Sequence, residues 1–451
     1  DGVHWLPLPY DMDTAIGINN EGQLVFDYDL EDTDTVSGSN VFNGQESVLW
    51  CNVRDAFANE IAAMYAELRN GTAFSYEEVV RRYTEHQAVW PEAVWNEDAY
   101  EKYLEPLLND GDASYLTMLQ GNKASQREWW LHNGFRYRDS KYQCGDASKQ
   151  VITLRCYAVG DITVTPYSHI WPRIKYGSYT VTERGKRNVA TTLACPLDTM
   201  DDTEVYIYSA DRLAEIGDLS PLQVGYANFS MAAKLQKLKL GDGANTYQNT
   251  HLTELYVGNN DLLSELNIRN CVNLKQAVDL SDCSGLETIY AAGSAVTALT
   301  LPVGGKIKTM ELPATITNLT IRDQKQLEYL TLAGYTNIST LRIENTPNVP
   351  LESIIRGSTA LSRVRLVGVE WNATSAANLA FCINKLMKCG GMDASGGNTD
   401  KAVISGRVYV KSISAETLEN IYTNFPDLVV VVNGAVNYMV RYLNYDGTLL
   451  Y

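Results

Sequence analysis

The densest run of potential cation ligands is YDMDTAIGINNEG, Tyr10 to Gly22. Asp11 and Asp13 place carboxylates two residues apart, and Asn19, Asn20 and Glu21 add further oxygens that could face a hard cation. An EF-hand loop orders such ligands as D-x-[DN]-x-[DN]-G-x₅-E, with glycine at the sharpest turn. Here Ala15 stands at the third ligand position and Ile16 at the glycine position, so the match fails where the geometry is strictest. Asp11 and Asp13 are therefore expected to hold turns around Gly17 and Gly22, or subunit contacts. No metal ligand is assigned.

Other chemistries fare no better. The histidines are His4, His86, His132, His169 and His251, and none lies beside a G-x-S-x-G nucleophile elbow. A glycosidase needs two opposed carboxylates, and nothing in the spacing of the acids selects a pair. A phosphate loop needs glycines between a strand and a helix, closed by GK[ST]. Gly390, Gly391, Gly396 and Gly397 instead follow a helical pattern and lack that ending, so they are expected to form a flexible loop. The eight cysteines form no CxxC and no zinc spacing, which points to buried small hydrophobes. No catalytic, cofactor-binding or metal-binding residue is assigned, and the chain is not expected to be an enzyme.

QREWWLHNGFRYRDSKY, Gln126 to Tyr142, interleaves Trp129, Trp130, Phe135, Tyr137 and Tyr142 with Arg127, Arg136, Arg138 and Lys141. Such a pattern can contact nucleic acid. It equally suits a helix whose aromatic face packs inward while its arginines pair with acids, and this is the favoured expectation. The formal charge of −17, from 37 basic and 54 acidic residues, argues the same way. A general nucleic-acid binder needs a basic face. The 28 tyrosines suit interfaces, where an apolar ring with a polar tip is useful. The longest strongly apolar run, near Val429–Val432, is far shorter than a membrane span. No signal-peptide pattern opens the chain.

The elements that must carry these residues are dominated by a repeat. The pattern L-x-x-L-x-L recurs at Leu252/Leu255/Val257, Leu263/Leu266/Ile268, Leu286/Ile289/Ala291, Val296/Leu299/Leu301 and Ile307/Met310/Leu312. It continues at Ile316/Leu319/Ile321, Leu327/Leu330/Leu332, Ile338/Leu341/Ile343 and Leu361/Val364/Leu366, with an imperfect copy at Leu274. The step is about eleven residues, so two half-repeats make a coil of about twenty-two, within the leucine-rich-repeat range. Asn260, Cys271 and Cys283 occupy the N/C position, whose side chain should turn inward and satisfy backbone groups at the bend. Leu235/Leu238/Leu240 fit an earlier copy, and Val205 and Ile207 could begin the first coil.

The expected fold class is multidomain α+β. Residues 1–150 form a mixed α+β domain, 151–202 a β segment, 203–371 a leucine-rich-repeat solenoid, 372–433 an α/β capping region, and 434–451 the beginning of a further β module. In the first domain, Phe57, Ile61, Met64 and Leu68 predict an amphipathic helix ending at Asn70-Gly71, and Ser75 with Glu78 forms a capping box for the next. Further helices are expected near Tyr100–Leu107 and Gln126–His132. The period should break near Trp371, before a helix carrying Leu379, Ile383 and Leu386. A strand at Val403–Val410, a helix at Ala415–Asn424 and a strand at Leu428–Val432 should follow. NYMVRYLNYDGTLLY, turning at Asp446-Gly447, predicts a hairpin.

Three segments carry a family resemblance: YDMDTAIGINNEG, QREWWLHNGFRYRDSKYQCGDA and YSADRLAEIGDLSPLQVGYANFSMAAKLQKLKLG. They resemble parts of the tail-muzzle, or tail-knob, proteins of crAss-like podoviruses of gut Bacteroidales, over roughly residues 8–30, 120–150 and 203–245. The resemblance implies a virion structural protein of the distal phage tail. Such a protein would form a homo-oligomeric ring or tube that closes the DNA exit channel and takes part in host attachment and genome ejection. The implied partners are further copies of the chain, other tail proteins and a host surface receptor, without sequence-specific nucleic-acid binding or a membrane span. It carries over no catalytic residue. A start at Asp1 and a last strand cut at Tyr451 would fit a piece of a longer, cleaved polypeptide. The repeats also resemble cell-surface leucine-rich-repeat proteins of Bacteroidota, which makes an adhesin-like binding protein the alternative.

Overall fold

The computed structural model describes residues 52, 56–71, 74–89, 135–243 and 248–437. Over these the protein is mixed α+β, with many strands in several sheets and few helices. YDMDTAIGINNEG, Trp129, Trp130, the helices expected near Tyr100–Leu107 and Gln126–His132, and the closing hairpin beyond Asn437 lie outside the described residues.

Helices α1 (Ala58–Asn70) and α2 (Tyr76–Gln87) form where the periodicity and capping signals place them. The Glu78 N–H donates to Ser75 Oγ at 3.1 Å, which is half of the expected capping box. The Glu78 carboxylate does not complete it; it pairs with Arg81 and Arg82. The apolar stripe of α1 does not become core: Phe57, Met64 and Leu68 are exposed, and the residue α1 buries is Arg69.

The β segment contains β1 (Val151–Cys156), β2 (Ile162–Pro166), β3 (Arg173–Tyr176), β4 (Tyr179–Thr182) and β5 (Thr191–Leu193). β6 (Thr203–Tyr208) lies between β1 and β3, antiparallel to both. Val205 and Ile207 fill the interior of that sheet and begin no repeat, so the division expected at 202/203 falls between hydrogen-bonded strands. β7 (Leu213–Ile216) pairs antiparallel with β2, and β8 (Val224–Asn228) antiparallel with β1. Each offers its other edge to a parallel neighbour, β7 to β9 (Lys237–Lys239) and β8 to β10 (Glu254–Tyr256). Strand pairing thus covers the edges on which the following strands stack.

Eight short strands continue the pattern: β11 (Glu265–Asn267), β12 (Val278–Asp279), β13 (Thr288–Tyr290), β14 (Leu299–Thr300), β15 (Thr309–Leu312), β16 (Asn318–Arg322), β17 (Tyr329–Leu332) and β18 (Thr340–Glu344). The odd-numbered strands β9 to β17 form one parallel ladder, aligning Leu238, Leu266, Ile289, Met310 and Leu330. The even-numbered strands lie in a second, where Val278 aligns with Leu299 and Leu319 with Leu341, and a bridge from Ala298 to Asn318 joins the pairs. The chain therefore steps from one ladder to the other and back. Because alternate strand residues share a face, L-x-L sends both its apolar side chains inward. Leu255, Leu266, Ile268, Ile289, Leu341 and Ile343 are all buried.

The imperfect copy at Leu274 has a physical resolution. Leu274 is followed by an inward Val278, one residue later than the pattern requires. The Gln276 side-chain amide takes the place of a strand backbone there. Its Oε1 accepts from the Leu255 N–H at 3.0 Å, and its Nε2 donates to the Leu255 carbonyl at 3.1 Å.

After β18 the second ladder continues while helices replace the first. The elements are α3 (Leu351–Gly357), β19 (Arg363–Asn372), α4 (Ala376–Leu386), β20 (Gly390–Met392), β21 (Asn398–Thr399), β22 (Val403–Val410), α5 (Ala415–Asn424), β23 (Leu428–Val432) and β24 (Ala435–Asn437). Strands β18, β19, β22 and β23 are successively parallel, and β24 closes the sheet antiparallel. Ser375 and Ser414 cap α4 and α5 by accepting from the Asn378 and Thr417 N–H groups. The change of pattern expected near Trp371 comes earlier, at α3, where Leu351, Ile354 and Ile355 have helical spacing and are buried. Gly390–Gly397, expected as a flexible loop, contributes to a hairpin in which β20 pairs with β21. Gly406 sits where β19 shifts register; with φ of +123°, a Cβ there would lie 2.1 Å from the Val369 carbonyl oxygen. The buried apolar side chains form one continuous cluster from Ile152 to Val430.

Candidate functional site

The row of polar side chains at the bends is structural, as the repeat position implies. Asn260 donates to the Ala232 and Leu235 carbonyls at 3.1 and 2.7 Å, and accepts from the Leu262 N–H. The Cys271 thiol approaches the Leu240 carbonyl at 3.9 Å, and the Cys283 thiol the Gly258 carbonyl at 3.7 Å. Burial pushes these thiols up to about 12 and about 11, so both stay protonated at neutral pH. Asn249 joins the row, donating to the Val224 carbonyl and accepting from the His251 and Leu252 N–H groups. Its signal was in the sequence: Asn249 precedes Leu252 by the same three residues that separate Asn260 from Leu263.

The described part of the basic and aromatic stretch, the helical residues 135–142, is a packed node. Asp139 is fully buried and accepts from Arg69 Nε at 2.7 Å, Arg69 Nη2 at 2.8 Å and the Tyr65 hydroxyl at 3.1 Å. The Arg69 guanidinium also lies over the Phe135 ring, 4.4 Å from its centroid. Arg136 pairs with Asp211, and the Tyr137 hydroxyl accepts from Trp171 Nε1 at 2.9 Å. These groups serve packing. Among the described residues no group of three or more His, Cys, Asp or Glu is placed to hold a metal ion, and no helix is long and apolar enough to cross a membrane.

The chemistry that faces outward lies on the sheet ordered β10-β8-β1-β6-β3-β4. Its inner face carries Ile152, Leu154, Val205, Ile207 and Ile174. Strand alternation sends Tyr206, Tyr208, Tyr226, Tyr256, Arg155, Arg173 and Lys175 to the other face. Register places Lys175, Tyr206, Thr153, Asn228 and Tyr256 side by side across five strands. The Arg173 guanidinium lies 3.6 Å from the Tyr208 ring centroid. The Tyr206 and Tyr256 hydroxyls donate to Glu204 and Glu254, which raises both phenols. The result is a broad, sheet-borne surface of aromatic rings with fixed hydroxyls and guanidinium groups. Tyrosine and arginine are the residue types enriched where proteins meet.

A second polar cluster lies on β16, β18 and β19. Glu344 accepts from Arg365 Nε at 2.5 Å, Arg322 Nε at 2.8 Å and Arg342 Nε at 3.0 Å. Burial alone would raise its carboxyl; the hydrogen bonds of Arg365, Arg322 and Arg342 outweigh that and hold it down to about 2, from an ordinary 4.5. A depressed carboxylate contributes stability that is fully present above the unfolded value and is lost as pH falls through the folded one. Wild type and Glu344→Gln should therefore differ most above pH 4.5, and their melting temperatures should converge as pH falls towards about 2. A difference that stays constant over that window, in calorimetry at fixed ionic strength, would contradict the assignment.

Neither a protein-family model nor a curated protein matches the chain.

Proposed function

We propose that this protein is a non-enzymatic structural protein of a phage tail, of the muzzle or knob type, that assembles with copies of itself and with other tail proteins. In this reading the stacked strands from β9 to β18 are a leucine-rich-repeat solenoid, and the α/β region from α3 to β24 caps it. What supports the solenoid is the chain's alternation between two parallel ladders, with an asparagine or cysteine at successive bends. What carries the assembly reading is the tyrosine and arginine face on the six-stranded sheet, which is backed by core and continuous across strands. We assign it to contact with a second copy of the chain. The work of such a protein is done by buried interface area, closing and opening a channel, rather than by bond chemistry. The resemblance of the three segments supports a position at the distal tail of the virion, facing a host receptor.

Tyr206→Ala combined with Tyr256→Ala tests this. Both side chains are on the outer face, so the melting temperature of the subunit should change little, by an amount equivalent to about 0.5 kcal/mol each. Electron microscopy and sedimentation should show a homo-oligomer for the wild-type chain, and the double substitution should weaken or abolish it. A wild-type chain that stays monomeric at high concentration, or an oligomer indifferent to the pair, would defeat the interface. Detection of the chain in purified virions would support the tail assignment. The second reading is a Bacteroidota surface protein with an adhesin-like role, in which the face of the stacked parallel ladders is the ligand platform. Its signature would be labelling of the chain on intact bacterial cells.

A further inference from the structure

We propose that the arginine cluster under the turn at 393–397 binds a tetrahedral oxyanion, a phosphate or sulfate group, independently of how the protein assembles. Four guanidinium groups, those of Arg322, Arg342, Arg363 and Arg365, are carried on the same outer face of three adjacent strands. The carboxylate among them is Glu344, which is shared by Arg322, Arg342 and Arg365. Asp393, nearby in the turn, spends its carboxylate on the Ser395 hydroxyl and the Gly397 N–H instead.

The remaining acceptors are the weaker oxygens of backbone carbonyls. Arg342 Nη2 donates to the Ala394 carbonyl at 2.7 Å and Arg365 Nη1 to that of Met392 at 3.2 Å. Arg363 has the poorest provision: its Nη2 reaches the Gly396 carbonyl only at 3.4 Å, and its Nε is buried with no hydrogen-bond partner among the described residues. A buried guanidinium N–H without an acceptor is costly, and an excess of cations over anions adds to that cost. An oxyanion would answer both. It offers several strong acceptors, and its geometry matches the forked donors of arginine. The net charge of −17 works against a long polyanion, so a single phosphate or sulfate group is the fitting ligand.

The test uses the full chain. Inorganic phosphate, inorganic sulfate and sodium chloride are titrated separately at matched ionic strength, following heat by calorimetry and melting temperature in parallel. Phosphate, sulfate or both should bind saturably and raise the melting temperature, and chloride should not; which of the two binds tighter identifies the preferred group. Arg363→Gln removes the donor with the weakest protein partner and leaves the Glu344 contacts in place, so it should fold. It should bind roughly tenfold to a hundredfold more weakly. Arg363→Lys, which keeps the charge but loses the fork, should fall between. Affinity unchanged in Arg363→Gln, or a chloride response equal to those of phosphate and sulfate, overturns the site.

Discussion

Truncating Asp139 to Ala should loosen the attachment of α1 by about 3–5 kcal/mol, because it leaves the Arg69 guanidinium buried without its counter-charge. The side chains of both residues are almost entirely inaccessible, and the pair is bidentate. Tyr65 donates to the same carboxylate, and burial together with the Asp139 charge raises its phenol far above the ordinary value. Gly145 leaves room for this arrangement, since a Cβ there would lie 2.4 Å from Asp139 Oδ2. Hydrogen exchange should report the change: amides of α1 should lose protection in Asp139→Ala, while those of β11 to β17 should not. Asp139→Asn, which keeps an acceptor but loses the charge, should be milder. The double variant Arg69→Met with Asp139→Leu should recover much of the loss, because removing both charges removes the desolvation cost. Uniform loss of protection throughout the chain would show that the node is not the local tether described.

Ile289→Ala should cost about 2–5 kcal/mol in urea unfolding, and Ile289→Val about 0.5–1.5 kcal/mol. Ile289 is fully buried on β13, aligned between Leu266 and Met310 on its two parallel neighbours. A cavity at this position is lined by both adjoining strands, and neither can collapse into it without moving its own partner. Thr288, one residue earlier, faces away, and Thr288→Ala should change stability by no more than about 0.5 kcal/mol. Equal costs at 288 and 289 would mean that the inward face has been misassigned. Stacked short strands depend mainly on nearest neighbours. The Ile289→Ala lesion should therefore increase exchange first at β11, β13 and β15, and later at β22 and β23.

The contrast between these two positions marks how far sequence reading reaches in this protein. Ile289 was legible because a period of about eleven residues, repeated along the chain, leaves one consistent inward face for L-x-L. The same logic found Asn260, Cys271 and Cys283, and local periodicity located α4, β22, α5 and β23. These are properties of neighbours in the chain. Val205 and Ile207 were misplaced for the converse reason: an apolar alternation states that a strand has a buried face, but not whether its partners run parallel or antiparallel.

The candidate sites were less legible. The tyrosine and arginine face is assembled from strands separated by many residues, and register alone sets Lys175 beside Tyr206 and Thr153 beside Asn228. The Glu344 cluster needs Arg322, Arg342 and Arg365, one from each of three successive second-ladder strands, so it exists only once those strands stack. Asp139 meets Arg69 across seventy residues of chain, with no periodic signal linking them. By itself the sequence determined which side chains leave water, because burial of apolar surface follows local periodicity and is proportional to area. Only the tertiary structure decided which charges meet. An ion pair is worth forming in the interior only when both partners are delivered to hydrogen-bonding distance, and that delivery belongs to the fold.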